Sequence, residues 1–254
     1  MIRGLIGMIH LGPLPGSPHA EPLEHTIGRA VSDAGDLLEA GFDALLIENF
    51  GDTPFFADDV PQVTIAAMTR SVAAVADKVD IPFGVNVLRN DALGAVAIAA
   101  ATGAHFIRVN VLSGSMSTDQ GPIIGKAAEV SRLREALAPD IEIFADVMVK
   151  HATPPPGLTL AQAAADLWER AGADGIIVSG AGTGHALDLA DLDTVRTAAP
   201  DAPIYAGSGI TDETVSDILS MCAGAIVGTS IKLDGITTNS VDSVRARTIV
   251  EAAS

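Results

Sequence analysis

The stretch Phe106-Ile107-Arg108-Val109-Asn110-Val111-Leu112 decides the fold. Successive side chains of an extended strand point to opposite faces. Ile107, Val109 and Val111 therefore share one face, and Phe106, Arg108 and Asn110 share the other. Working outward, the chain holds eight such apolar runs, at 5–10, 44–50, 82–89, 106–112, 142–151, 175–180, 203–210 and 224–232. In the first five, His10, Glu48, Asn86, Arg108, Asn110, Asp146 and Lys150 all occupy even positions near the C-terminal end of their run. Polar groups converging from five strand ends are what a (β/α)8 barrel places at its active-site mouth.

Between the runs lie Ala-rich stretches with helical spacing, at 25–40, 63–77, 91–102, 125–138, 159–171, 189–199, 212–221 and 241–252. Asp91 and Thr159 are expected N-caps, and Gly41, Gly103 and Gly172 stand where helices end. Eight strand–helix units imply a parallel sheet, and eight can close. A doubly wound open sheet is the competing arrangement. The expectation is one (β/α)8 TIM barrel over residues 1–254, about the usual length for that fold. Proline-rich connections at 12–24, 50–62 and 151–158 follow strand ends, where long loops serve as lids or binding loops.

Acidic residues number 32 against 15 basic ones, for a net charge of −17, and only four lysines occur. Such a surface repels nucleic acid and anionic membranes. Dispersed acid with scarce lysine resembles the surface of a protein from a salt-loving cytoplasm. Stability is therefore expected to rise between dilute buffer and molar KCl, which screens the self-repulsion. A thermal melt that does not move with KCl would sink that reading. The chain has no apolar run of membrane-spanning length and no signal-peptide pattern, so a cytoplasmic location is expected. Cys222 is the only cysteine, which leaves no internal disulfide. Homo-oligomer formation stays open.

The last three runs end in small-residue loops. These are Ser179-Gly180-Ala181-Gly182-Thr183-Gly184, Ala206-Gly207-Ser208-Gly209-Ile210-Thr211 and Val227-Gly228-Thr229-Ser230. Glycines let backbone approach an anion, and N–H and hydroxyl groups donate to it. Loops after strands seven and eight form the phosphate site of many barrels. The expected phosphate ligands are Gly182, Thr183, Gly207, Ser208, Gly209, Gly228, Thr229, Ser230 and Lys232. Singly, His10 reads as a core histidine, and Arg108 with Glu48 or Asp146 as a stiffening ion pair. Seven polar groups on one parity are a poor design for stability alone, because buried charge is costly. No histidine spacing suits a zinc helix, so no metal site and no cofactor are expected. There is room for transient Mg²⁺ bound through carboxylate and phosphate.

Taken together, Gly7-Met8-Ile9-His10-Leu11-Gly12-Pro13-Leu14-Pro15-Gly16, Gly84-Val85-Asn86-Val87-Leu88-Arg89-Asn90-Asp91 and Phe106-Ile107-Arg108-Val109-Asn110 resemble the BtpA family of (β/α)8 proteins. Asp146-Val147, Lys150-His151-Ala152, Gly207-Ser208-Gly209 and 227–235 continue the resemblance, which covers nearly the whole chain. The family is similar to ribulose-phosphate-binding barrels and is named for photosystem I accumulation in cyanobacteria. The resemblance implies the fold, a phosphate site and the weight of these motif residues, including Arg89. It does not fix the reaction. An association with nucleoside salvage in archaea suggests a nucleoside phosphorylase.

Three functions are weighed. The first is phosphorolysis of a purine nucleoside, guanosine favoured, with inorganic phosphate as co-substrate. Asn86, Arg89, Arg108 and Asn110 would orient ribose or phosphate, and Glu48 or Asp146 would meet the base. Lys150 and His10 would complete the catalytic set. The second is a sugar-phosphate aldolase or isomerase, with Lys150 as a Schiff-base lysine or Asp146 as a base. The third is a non-catalytic assembly factor that kept the barrel.

Overall fold

A computed structural model describes residues 1–180 and 187–253. In chain order the elements are β1 (Gly4–His10), α1 (Leu23–Ala40), β2 (Ala44–Glu48), α2 (Gln62–Ala76), β3 (Phe83–Asn86) and α3 (Ala92–Thr102). Next come β4 (Phe106–Val109), β5 (Ser115–Thr118), β6 (Gly121–Ile124), α4 (Ala127–Leu137), β7 (Glu142–Asp146), β8 (Ala152–Thr153) and α5 (Leu160–Glu169). The chain continues through β9 (Gly175–Val178), α6 (Leu189–Ala198), β10 (Ile204–Ala206), α7 (Val215–Met221), β11 (Gly224–Val227) and α8 (Ser243–Ala253). Eight strands close a parallel barrel in the order β1-β11-β10-β9-β7-β4-β3-β2.

Alternation divides the apolar side chains into two layers. Leu45, Ile47, Val85, Ile107, Val109, Ile143 and Ala145 face outward and form a continuous core with the helices. Ile6, Met8, Leu46, Phe106, Phe144, Ile177, Tyr205 and Ile226 fill the barrel interior. The rings of Phe144 and Tyr205 stack at 4.3 Å, and Phe106 leans on Phe144 at 4.9 Å. These rings fit because glycine stands opposite them. A Cβ at Gly84 would strike Phe106, and one at Gly175 would lie 2.6 Å from the Tyr205 ring. The aromatic plug closes the N-terminal end and leaves the other end to polar groups.

Register sets the site. His10 pairs with Glu48, Glu48 with Asn86, and Asn86 with Arg108, so four polar residues stand in one row across β1 to β4. Asp146 sits one level higher, since Arg108 pairs with Phe144.

The helix caps have local causes. Asp91 accepts the Gly94 N–H at 2.7 Å, and Thr159 forms a reciprocal capping box with Gln162. Thr159→Ala is expected to cost about 1 kcal/mol, read as a small drop in urea midpoint.

One element has no counterpart in the sequence expectations. β5 and β6 form an antiparallel hairpin, extended by β8 into a three-stranded sheet. Its apolar base is Val111, Met116, Ile123 and Val149. Beyond it, Lys126 binds both Asp58 and Asp59 at 2.8 Å, tying this excursion to the loop after β2. The strands also end earlier than the apolar runs, so Arg89, Asn110, Lys150 and Lys232 all lie past a strand end. Among the described residues, no helix is long and apolar enough to cross a membrane.

Candidate functional site

The C-terminal mouth holds a cavity of about 880 Å³. His10, Glu48, Arg89, Arg108, Asn110 and Lys150 line one part of it; Gly207, Ser208, Gly209, Gly228, Thr229 and Ser230 line another. Phe50 and Phe55, from the loop after β2, add an aromatic wall, with their rings 6.5 Å apart. Asp119 and Gln120, at the tip of the β5–β6 hairpin, reach the same space.

Glu48 is buried and accepts the Asn86 amide at 2.7 Å. Burial raises its pKa; Arg108, Lys150 and the Asn86 hydrogen bond only partly oppose that. His10 stands 3.9 Å from Glu48 through Nε2 and tilts against Phe50 at 4.9 Å. Burial first, then the positive charges of Lys232 and Lys150, hold its pKa well below the ordinary value. This favours the neutral imidazole, with a backbone contact to Thr237 opposing the shift, and among the described residues the buried Nδ1 has no hydrogen-bond partner of good geometry.

The floor is an ion pair. Arg108 donates to Asp146 through Nε at 3.0 Å and through a terminal nitrogen at 2.9 Å, and Asn110 donates to the same carboxylate at 2.8 Å. Ser179 adds a long contact at 3.4 Å. Burial works against the Arg108 charge, but Asp146 outweighs it and raises the pKa. Asp146 does not line the main cavity; it borders a second space of about 450 Å³. This changes the expectation for Asp146. Its oxygens are taken, so it anchors Arg108 and Asn110 and does not meet a base. Asn86 likewise supports Glu48 and does not line the cavity.

Lys150 lies in an unusual turn, between Met148 and His151, both with positive φ of 48° and 57°. Non-glycine residues reach that region at a cost, and such strain clusters at functional sites. Arg89 donates to the Lys150 carbonyl at 2.6 Å. Burial, then Arg108, lowers the Lys150 pKa. Among the described residues, no carboxylate lies within ion-pair distance of its ammonium.

Lys232 requires a correction. It was expected at the phosphate loops, but it is fully buried against α1, with Nζ 3.3 Å from Asp33. The cause is local. β11 ends at Val227, and a 3-10 turn over Thr229–Ile231 breaks the alternation, turning Lys232 away from the cavity. Asp33 also accepts the Val241 N–H at 2.9 Å, so one carboxylate holds both ends of the 232–241 segment. Gly207 changes meaning too. A Cβ there would collide with Ile177 and Ser179, so packing alone demands glycine. Gly209 has φ of 72° and supplies the left-handed turn. Ser208 accepts the Gly180 N–H at 2.9 Å. Gly182 and Thr183 lie outside the described residues.

The expectations missed Phe50, Phe55 and Arg245, which all line the cavity. Arg245 comes from the first turn of α8, far in sequence from any strand end. Only the phenylalanines carried a signal, as aromatics in a proline-rich loop.

These features define a (β/α)8-barrel protein with a polar cavity at the C-terminal mouth. The chain belongs to the BtpA family, whose model matches residues 1–254. It is 44% identical over 252 residues to an uncharacterized protein of Methanocaldococcus jannaschii, covering 99% of this chain and 95% of that one. It is 43% identical over 249 residues to the photosystem I biogenesis protein BtpA of Synechocystis, covering 98% and 87%. Among solved structures, it resembles phosphoribosyl anthranilate isomerase of Thermococcus kodakaraensis, with TM-score 0.58, 18% identity, and 99% and 98% covered. That likeness concerns the fold alone.

Proposed function

We propose that the protein is a nucleoside phosphorylase that cleaves a purine nucleoside, guanosine favoured, with inorganic phosphate. The observation that carries this reading is the composition of one cavity of about 880 Å³. It joins an aromatic wall, a buried acid and loops suited to an anion. A pentose phosphate alone would leave the Phe50–Phe55 wall without a partner, whereas a purine ring would stack on it.

In this reading, phosphate sits at Ser208, Gly209 and Gly228–Ser230, and the base lies toward Phe50 and Phe55. A phosphate oxygen bonds to C1′ of the ribose as the bond from C1′ to the base breaks. Glu48, kept protonated to higher pH by burial, gives its proton to the leaving base. The proton shed by the incoming hydrogenphosphate restores the acid. His10 Nδ1 accepts a ribose hydroxyl, and Arg108, fixed by Asp146, orients the sugar.

Guanosine and adenosine would be incubated in molar KCl with and without phosphate, beside pentose phosphates. Phosphate-dependent release of free base is the expected result. Base release that ignores phosphate, or none at all, overturns the reading.

One observation favours a second reading, a sugar-phosphate aldolase or isomerase. Lys150 has no carboxylate partner among the described residues and a lowered pKa, as a Schiff-base lysine needs. Borohydride trapping of a pentose phosphate on Lys150 would support it.

A further inference from the structure

With Lys232 buried against Asp33, the phosphate loops lack the cation that was expected to serve them. The other cations of the cavity stand elsewhere. In the barrel order, β4, which carries Arg108, lies opposite β11, and Arg89 and Lys150 follow β3 and β7. Arg108 is also committed, by two bonds of 2.9 and 3.0 Å, to Asp146.

Arg245 is on the right side. Helix α8 packs on the Thr229–Ile231 turn, and Arg245 lines the cavity together with Gly228, Thr229, Ser230 and Thr237. Its own contacts are loose. One guanidinium nitrogen is 3.5 Å from the Ser230 carbonyl, and Nε is 3.8 Å from Asp242. Its side chain is 47% exposed, against 4% for Arg108. Nearby, the buried Ser230 hydroxyl has no hydrogen-bond partner among the described residues. A planar guanidinium with most of its forked donors unspent among the described residues suits a phosphate group, which it can hold bidentately.

We infer that Arg245 grips the phosphate, and that Lys232 only fixes the segment beside it. The inference rests on the phosphate-handling part of the proposed function. It holds for a free phosphate and for a phosphate monoester alike, since both present the same oxygens.

Calorimetric titration of inorganic phosphate, and separately of ribose 5-phosphate, into the wild type and Arg245→Ala tests it. Molar KCl suppresses non-specific attraction. Loss of a charge-assisted contact is expected to weaken binding roughly tenfold to hundredfold, with Arg245→Lys in between and the melting temperature nearly unchanged. Weakening for phosphate marks the co-substrate as the occupant; weakening for the ester alone marks a sugar phosphate. Equal binding by wild type and Arg245→Ala overturns the inference while sparing the phosphate site. Loss on Lys150→Met in place of Arg245→Ala overturns it as well. No binding of either ligand by the wild type removes the phosphate site itself, and this role with it.

Discussion

Asp146→Ala is expected to cost about 3–5 kcal/mol of stability, because breaking a buried ion pair strands the remaining charge. Arg108 would keep its guanidinium inside the barrel with no carboxylate beside it, and Asn110 would lose its acceptor at 2.8 Å. Glu48 offers no easy replacement, since Asn86 and burial fix it on the neighbouring side of the row. For a chain of this size the melting temperature should fall by roughly 6–20 °C. A thermal melt in molar KCl measures it. A fall of less than about 3 °C would mean that the Arg108–Asp146 pair does not anchor the floor.

Glu48→Gln should separate activity from stability. Gln retains a carbonyl to accept the Asn86 amide, so the local geometry survives. It cannot supply a proton, and loss of a general acid costs roughly 10²–10⁴ in turnover. In the wild type, phosphorolysis should decline as pH rises through the elevated pKa of Glu48, and that limb should vanish in the variant. Stability falls in the same direction. A carboxyl whose folded pKa is raised is neutral in both states at low pH. As pH climbs through the folded value, the native state carries a cost that the unfolded state avoids. Wild type therefore loses stability over that window and Glu48→Gln does not, so the gap in melting temperature widens with pH. Equal loss of activity and stability at every pH would show that Glu48 only holds the fold.

The barrel was legible because period-two alternation survives inside each strand. His10, Glu48, Asn86, Arg108 and Asp146 are all strand residues, and their shared parity became a row and a floor. Past the strand ends parity held only in part: Asn110 and Lys150 still reach the cavity, and Lys232 does not. Lys232 was placed by extending its run beyond Val227, and a turn of different period turned it outward. Gly182 and Thr183 belong to the 181–186 segment, outside the described residues. The β5–β6 hairpin escaped notice because its turn, Thr118-Asp119-Gln120-Gly121, lacks the Asn-Gly or Asp-Gly pair that advertises a tight hairpin. Arg245 could not be read at all, since its place follows from the packing of α8 on a 3-10 turn.

The Asp33 carboxylate also bears on how the protein is made. Its two partners, Lys232 and Val241, lie 199 and 208 residues further along the chain. At about 5–20 residues per second, a ribosome delivers them many seconds after α1 has emerged. Through that interval Asp33 must remain hydrated, so α1 cannot settle into its final seat. The same partners arrive just after β11, the strand that seals the ring against β1. The barrel thus carries its fastening near the end of the message: a nascent chain halted before Val241 would present an unlatched first helix to chaperones and proteases.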